Sequence, residues 1–87
     1  MASKSIKDMA LTEVADEVRA VVRDLFGRDI ADKESSLAEA GIDSLALLDL
    51  LAELETRFGV HLTENMVAEF QTIGRVARVV QDVAKSS

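Results

Sequence analysis

The chain has 87 residues, a length that allows one small domain with a single hydrophobic core. Hydrophobic residues make up 48% and charged residues 30%, which is typical of a globular domain and not of a disordered tail. Sixteen acidic residues against ten basic ones give a net charge of −6, which argues against nucleic acid and anionic membranes as partners. The absence of cysteine excludes disulfides and thiolate metal sites, and no apolar run is long enough to cross a bilayer. These features predict a soluble, cytoplasmic, monomeric protein without a metal site or membrane insertion.

An amphipathic helix is predicted from Thr12 to Phe26, because apolar residues recur there at three- and four-residue spacing among charged side chains: Val14, Val18, Val21, Val22 and Leu25. Gly27 is suited to end this helix. Its start is open, since Thr12 is one candidate N-cap and Ser5, with Asp8 three residues later, is another. Met1 to Lys4 are expected to fray.

Residues 27–42 lack a sustained helical stripe and form a long connection for a helical protein. We expect Ile30 and Leu37 to fasten this loop to the core. At most a single helical turn is expected, around Ser36 to Glu39.

The second helix is predicted from Asp43 to Phe58, with Asp43 as the N-cap and Gly59 after its end. One face is apolar and wide enough to be the core side, and it comprises Leu47, Leu50, Leu51, Leu54 and Phe58. On the opposite face an apolar strip lies among carboxylates: Leu45, Leu48 and Ala52 with Asp49, Glu53 and Glu55. Such a strip suggests a docking surface, although single exposed leucines are also normal on a protein surface.

Two further helices complete an all-α prediction, a small four-helix bundle. The third is short, from Thr63 to Phe70, with Leu62 and Val67 placed as a hydrophobic staple around its start. Thr72 then caps a last helix whose buried face comprises Ile73, Val76, Ala77, Val80 and Val83. Residues 12–84 are predicted to form the domain, with 1–11 as a tail or early helix start and 85–87 as a C-terminal tail. The chain looks free-standing, although its ends are equally compatible with an excised domain.

The start of the second helix combines a serine hydroxyl with strongly negative surroundings. Between Lys33 and Arg57 there are six acidic residues and no basic one. The free N–H groups and the dipole of a helix N-terminus favour an attached phosphate. The run Gly41-Ile42-Asp43-Ser44-Leu45 resembles the GxDSL attachment motif of acyl carrier proteins, at the start of their second helix. The order of helices, the anchored loop and the acidic second helix extend the resemblance over about residues 12–83.

The resemblance implies that Ser44 is a substrate and not a catalyst, and that the chain is not an enzyme. A phosphopantetheinyl transferase using Mg²⁺ would attach 4′-phosphopantetheine from coenzyme A to Ser44, releasing 3′,5′-ADP. Asp43 would cap the helix and be read by the transferase. The arm's thiol would then carry an acyl group as a thioester.

Further roles implied by the resemblance concern partners and cargo. Partner enzymes would be a ketosynthase, an acyltransferase or a loading ligase, which would contact Leu45, Leu48 and Ala52 and meet the carboxylates of Asp49, Glu53 and Glu55. Leu50, Leu54, Leu62 and Ile73 match positions that line the acyl pocket of fatty-acid carriers, and ordinary core packing is the simpler interpretation of them.

Departures from the family pattern favour a specialised pathway, such as polyketide or fatty-acid-like biosynthesis. Thr56, Arg57 and His61 stand at positions that are often acidic, Thr63 stands where proline is common, and the loop before Ser44 is short. An aminoacyl or peptidyl carrier, loaded by an adenylating ligase, would show the same serine and stays an alternative. An unmodified helical interaction module is the alternative from another class. A hydrolase is disfavoured because no basic partner lies near Ser44 in sequence.

Overall fold

The computed structural model describes residues 6–86, and this part of the chain is helical. Its elements are α1 (Leu11–Phe26), α2 (Ser44–Phe58) and α3 (Ile73–Ser86), with 3₁₀ segments at Ile6–Asp8 and Glu64–Glu69. The described residues contain no β-strand beyond one isolated bridge between Ser36 and Thr72. The predicted fold class, a small all-α bundle with a long loop before its second long helix, is confirmed.

The core lies where α1 and α3 make the most extensive helix contact of the described chain. Val14, Val18 and Val22 of α1 are completely buried, as are Val76 and Val80 of α3. The valines that predicted these helices therefore form buried faces, whereas Leu25, expected on the same face of α1, is 37% exposed. Val83 is half-buried and packs against the edge of this core.

The start of α1 differs from the Thr12 candidate. Its N-cap is Ala10 and not Thr12, and the Ala10 N–H donates to Glu13 Oε1 at 3.0 Å. Ahead of it, the buried Gln81 Nε2 donates to the carbonyl oxygens of Ile6 and Met9, at 3.3 and 2.6 Å. Packing against α3 thus sets the helix start. The Ser5 alternative and the fraying of residues 1–4 lie outside the described residues.

The other predicted helix ends are confirmed by their hydrogen bonds. Gly27 and Gly59 follow α1 and α2 in the left-handed conformation, with φ of 66° and 64°. Thr72 Oγ1 accepts from the Arg75 N–H at 3.1 Å at the start of α3. The long loop holds hydrogen-bonded turns at 36–42 and no helix, and Ile30 and Leu37 are buried as expected.

The short third helix is a 3₁₀ segment, Glu64–Glu69, and Thr63 makes no side-chain cap. A 3₁₀ helix rises about 2.0 Å per residue against about 1.5 Å in an α-helix, so six residues span more distance. Its two ends are fixed, because Leu62 and Phe70 are both buried. The stretched geometry joins these two anchors. Within residues 6–86, no helix is long and apolar enough to span a bilayer.

Candidate functional site

The turn that leads into α2 is fixed by one glycine, one buried side chain and one cap. Gly41 has φ of 88°, a conformation that costs any residue with a Cβ atom. Ile42 is buried, and its N–H donates to the Leu37 carbonyl oxygen at 3.0 Å. Asp43 Oδ1 then accepts from the Ala46 N–H at 2.9 Å, as predicted for the N-cap. The motif residues therefore build a defined entry to the helix.

Ser44 is the first residue of α2 and its side chain is exposed. Among the residues that the structure describes, the Ser44 hydroxyl makes no hydrogen bond, so it has no structural task there. The first turn of α2 contains no acidic residue. A phosphate ester at this oxygen would stand at the positive end of the helix dipole, so the residues present fit an attached phosphodiester.

The loop before Ser44 is tied to the start of α3. Leu37 is completely buried, and its N–H donates to the Gln71 carbonyl oxygen at 2.9 Å. The Gly74 N–H donates to the Lys33 carbonyl oxygen at 3.0 Å. These hydrogen bonds fix the loop that precedes Ser44 to the segment at the start of α3.

The predicted apolar strip of α2 is exposed. Leu45 is 75% exposed and Leu48 is 37% exposed, and Ala52 also faces solvent. The opposite face packs inward, with Leu50, Leu51 and Leu54 buried. We call Leu45, Leu48 and Ala52 the α2 strip. Its exposure next to Ser44 is what a docking surface requires, and docking itself stays a prediction.

The three carboxylates expected beside the strip have different surroundings. Asp49 is exposed and makes no ion pair or hydrogen bond within the described chain. Glu53 Oε2 accepts from Arg57 Nε at 2.9 Å, and Arg57 Nη1 also lies 3.2 Å from Asp24 Oδ2 of α1. These side-chain hydrogen bonds, that to Glu53 first and that to Asp24 second, raise the pKa of Arg57, which keeps its charge.

Glu55 has a structural task that the sequence did not reveal. Its Oε2 accepts from the Leu62 N–H at 2.9 Å and lies 3.5 Å from His61 Nδ1. The carboxylate thus holds the loop that follows α2. Glu53 is paired with the charged Arg57, and Glu55 Oε2 accepts a backbone N–H, so both carboxylates are less available to a partner than the sequence indicates. The Glu53–Arg57 pair has the i,i+4 spacing that could have revealed it, whereas nothing local indicates the Glu55 contact.

The four residues matched to an acyl pocket lie together in the core. Leu50, Leu54 and Ile73 are completely buried and Leu62 is 4% exposed. The structure thus brings them into one hydrophobic cluster, as either interpretation requires. A role in holding an acyl chain stays a prediction.

Comparison with known proteins matches this chain to one family and to several relatives. The sequence pattern of a family described as "Phosphopantetheine attachment site" matches residues 16–80. An acyl carrier protein of Chlamydia muridarum is 30% identical over 70 residues, covering 77% of this chain and 91% of that protein. Nodulation protein F of Rhizobium leguminosarum bv. trifolii is 32% identical over 79 residues, covering 91% and 79%. The 3-methylorcinaldehyde synthase of a Phoma species is 34% identical over 77 residues, 86% of this chain but 3% of that synthase.

Proposed function

The chain belongs to the phosphopantetheine attachment family of acyl carrier proteins, and on that premise we propose that Ser44 is the residue that carries its 4′-phosphopantetheine arm. Members of this family are carriers and not enzymes. The observation that carries the proposal is the Ser44 hydroxyl itself, which is exposed at the first position of α2 and free of hydrogen bonds within the described chain. Asp43 supports it by capping the helix directly before the serine.

Attachment requires a separate transferase, because no histidine or lysine lies near Ser44 in sequence to activate its hydroxyl. Transfer forms a bond from Ser44 Oγ to the β-phosphorus of coenzyme A and breaks the pyrophosphate bond, so that 3′,5′-ADP leaves and the hydroxyl proton passes to the transferase. When bound, the arm supplies the thiol that carries an acyl group as a thioester. This chain presents the hydroxyl, holds the helix end rigid and offers the α2 strip to partner enzymes.

The experiment is intact-protein mass spectrometry after incubation with coenzyme A, Mg²⁺ and a broad-specificity phosphopantetheinyl transferase. Wild type should gain the mass of one phosphopantetheine and Ser44→Ala should gain nothing. Ser35→Ala is the matched control, because Ser35 is an exposed serine of the preceding loop and should leave modification unchanged. Loss of helical circular dichroism in Ser44→Ala would show instead that Ser44 is structural.

We further propose that the carrier serves a specialised acyl pathway. Arg57, near the C-terminal end of α2, stands at a position that is often acidic in the family, and it binds Asp24 and Glu53. Partners that recognise negative charge would therefore contact the N-terminal half of the helix. The similarity to a nodulation protein and to a synthase, alongside acyl carrier proteins, agrees with this. Offering the loaded chain to a malonyl acyltransferase, and separately to adenylating ligases with amino acids, tests it. Aminoacylation alone would favour the peptidyl-carrier alternative.

A further inference from the structure

A phosphodiester on Ser44 would stand in a region that the sequence leaves without positive charge. No lysine or arginine occurs between Lys33 and Arg57, while Glu39, Asp43 and Asp49 are all exposed there. These carboxylates would repel the negative charge of the phosphodiester, and the positive end of the helix dipole would oppose that repulsion. A cation brought back to the site from elsewhere in the chain would stabilise the attached phosphate.

The fold places Arg28 beside Gly41, three residues before Ser44. Arg28 follows Gly27, whose left-handed conformation ends α1. Its guanidinium lies beside Gly41, since a Cβ atom placed on Gly41 would be 3.3 Å from Arg28 Nη2 and 3.8 Å from its Cζ. The glycine, which the turn already requires at φ of 88°, therefore also leaves room for the arginine. Twelve residues lie between the two in sequence, so only the folded chain brings them together.

Arg28 is exposed and is unpaired within the described chain, where its guanidinium makes no ion pair or hydrogen bond. This distinguishes it from Arg57, which two carboxylates hold in place. Ser44 follows Gly41 by three residues, so the two Cα atoms are at most about 11 Å apart, three extended steps.

We propose that Arg28 is a phosphate-binding residue of the carrier: its guanidinium donates hydrogen bonds to the non-bridging oxygens of the phosphodiester on Ser44. The fork of N–H donors suits two phosphate oxygens, and a charge-assisted hydrogen bond is stronger than a neutral one. The contact would hold the root of the arm against the attachment loop while its thiol end stays free. This inference rests on the proposed function, because it requires the arm to be on Ser44.

The test compares the full-length chain before and after phosphopantetheinylation, with the mass gain established first. Hydrogen exchange of the Arg28 Nε–H, followed by nitrogen NMR, should slow by about 1.4- to 5-fold in the loaded chain, the range for exposed charge pairs. The phosphorus resonance of the loaded chain should shift in Arg28→Gln and shift less in Arg28→Lys, which keeps the charge but loses the fork. Arg23→Gln is the control, since Arg23 is an exposed arginine on the last turn of α1.

Failure of the Arg28 proposal and failure of the proposed function would give different results. A loaded chain in which Arg28 Nε–H exchange is unchanged, or in which Arg28→Gln and Arg23→Gln give the same phosphorus resonance as wild type, overturns the role of Arg28 alone. A chain that gains no phosphopantetheine overturns the proposed function and this inference with it. Unchanged circular dichroism of both variants shows that any difference is local to the site.

Discussion

Replacing Asp43 with alanine tests the role of its carboxylate as the N-cap of α2. Recognition of the same carboxylate by a transferase is a separate question. The Asp43 carboxylate accepts from the Ala46 N–H at 2.9 Å, and alanine leaves that donor without its partner. Loss of an N-cap side chain costs about 1 kcal/mol, within a range of about 0.5–2 kcal/mol. For a domain of this size we expect the melting temperature to fall by about 4–8 °C for each kcal/mol.

The assay is thermal unfolding followed by circular dichroism, with two comparison variants. Asp43→Asn keeps the cap and removes the charge, so its melting temperature should stay close to wild type. Thr63→Ala is the matched control, because Thr63 precedes the 3₁₀ segment without a side-chain cap and should lose little. Equal losses in Asp43→Ala and Thr63→Ala would refute the capping argument.

The same variants test whether a transferase reads the carboxylate. If the charge of Asp43 is recognised, Asp43→Asn should accept phosphopantetheine more slowly than wild type at an unchanged melting temperature. If capping is the whole role, Asp43→Asn should be modified at the wild-type rate. The initial rate of mass gain distinguishes the two, and a slow but equally stable Asp43→Asn assigns recognition to the carboxylate.

The remaining predictions concern the loop and the docking face. Leu37→Ala removes a completely buried loop anchor and should cost about 2.7–5 kcal/mol in urea unfolding, whereas Leu45→Ala, at a 75% exposed position, should change stability by less than about 0.5 kcal/mol. Gly41→Ala places a Cβ at φ of 88° and should cost about 1–2 kcal/mol, while Gly74→Ala, in α3 without positive φ, should not; equal losses would contradict the backbone argument. Asp49→Lys should slow modification more at low than at high salt, and more than the equal charge change Asp82→Lys on α3. Equal rates for those two variants would count against an acidic docking face.

Local chemistry explains why much of the fold was predictable. The buried faces of α1 and α3 follow from valine spacing, and the caps at Asp43 and Thr72 follow from side chains that accept backbone N–H groups. The sequence left the start of α1 open, and the observed N-cap, Ala10, has no capping side chain that could have revealed it. Glu13 and the buried Gln81 supply the hydrogen bonds there, and Gln81 is distant in sequence. Tertiary contacts overrode the local signal.

Local sequence also predicted one part of the candidate site, whereas another part depends on tertiary contacts. The position of Ser44 at an exposed helix start follows from a five-residue motif, because each motif residue acts on its near neighbours. Arg28 was not predicted, since its proximity to Gly41 depends on how the whole loop returns to α2. Glu55 is predicted to meet partners, and the structure adds a hydrogen bond from the Leu62 N–H, seven residues away, that the sequence did not indicate. The sequence therefore predicted the exposed position of Ser44 better than the electrostatic surroundings of that residue.

Glu53 pairs with Arg57, and Glu55 accepts from the Leu62 N–H, which affects how these two carboxylates of α2 can contact a partner. An exposed ion pair is worth only about 0–1 kcal/mol, so a partner's lysine gains little by displacing Arg57 from Glu53. Asp49 has no such competitor, and it lies one turn from Leu45 on the face beside Ser44. Recognition would then depend on a short segment at the head of α2, with one free carboxylate and one prominent leucine. Such a small contact suits a carrier that must leave each enzyme quickly, because weak exposed contacts favour orientation and fast release over tight binding.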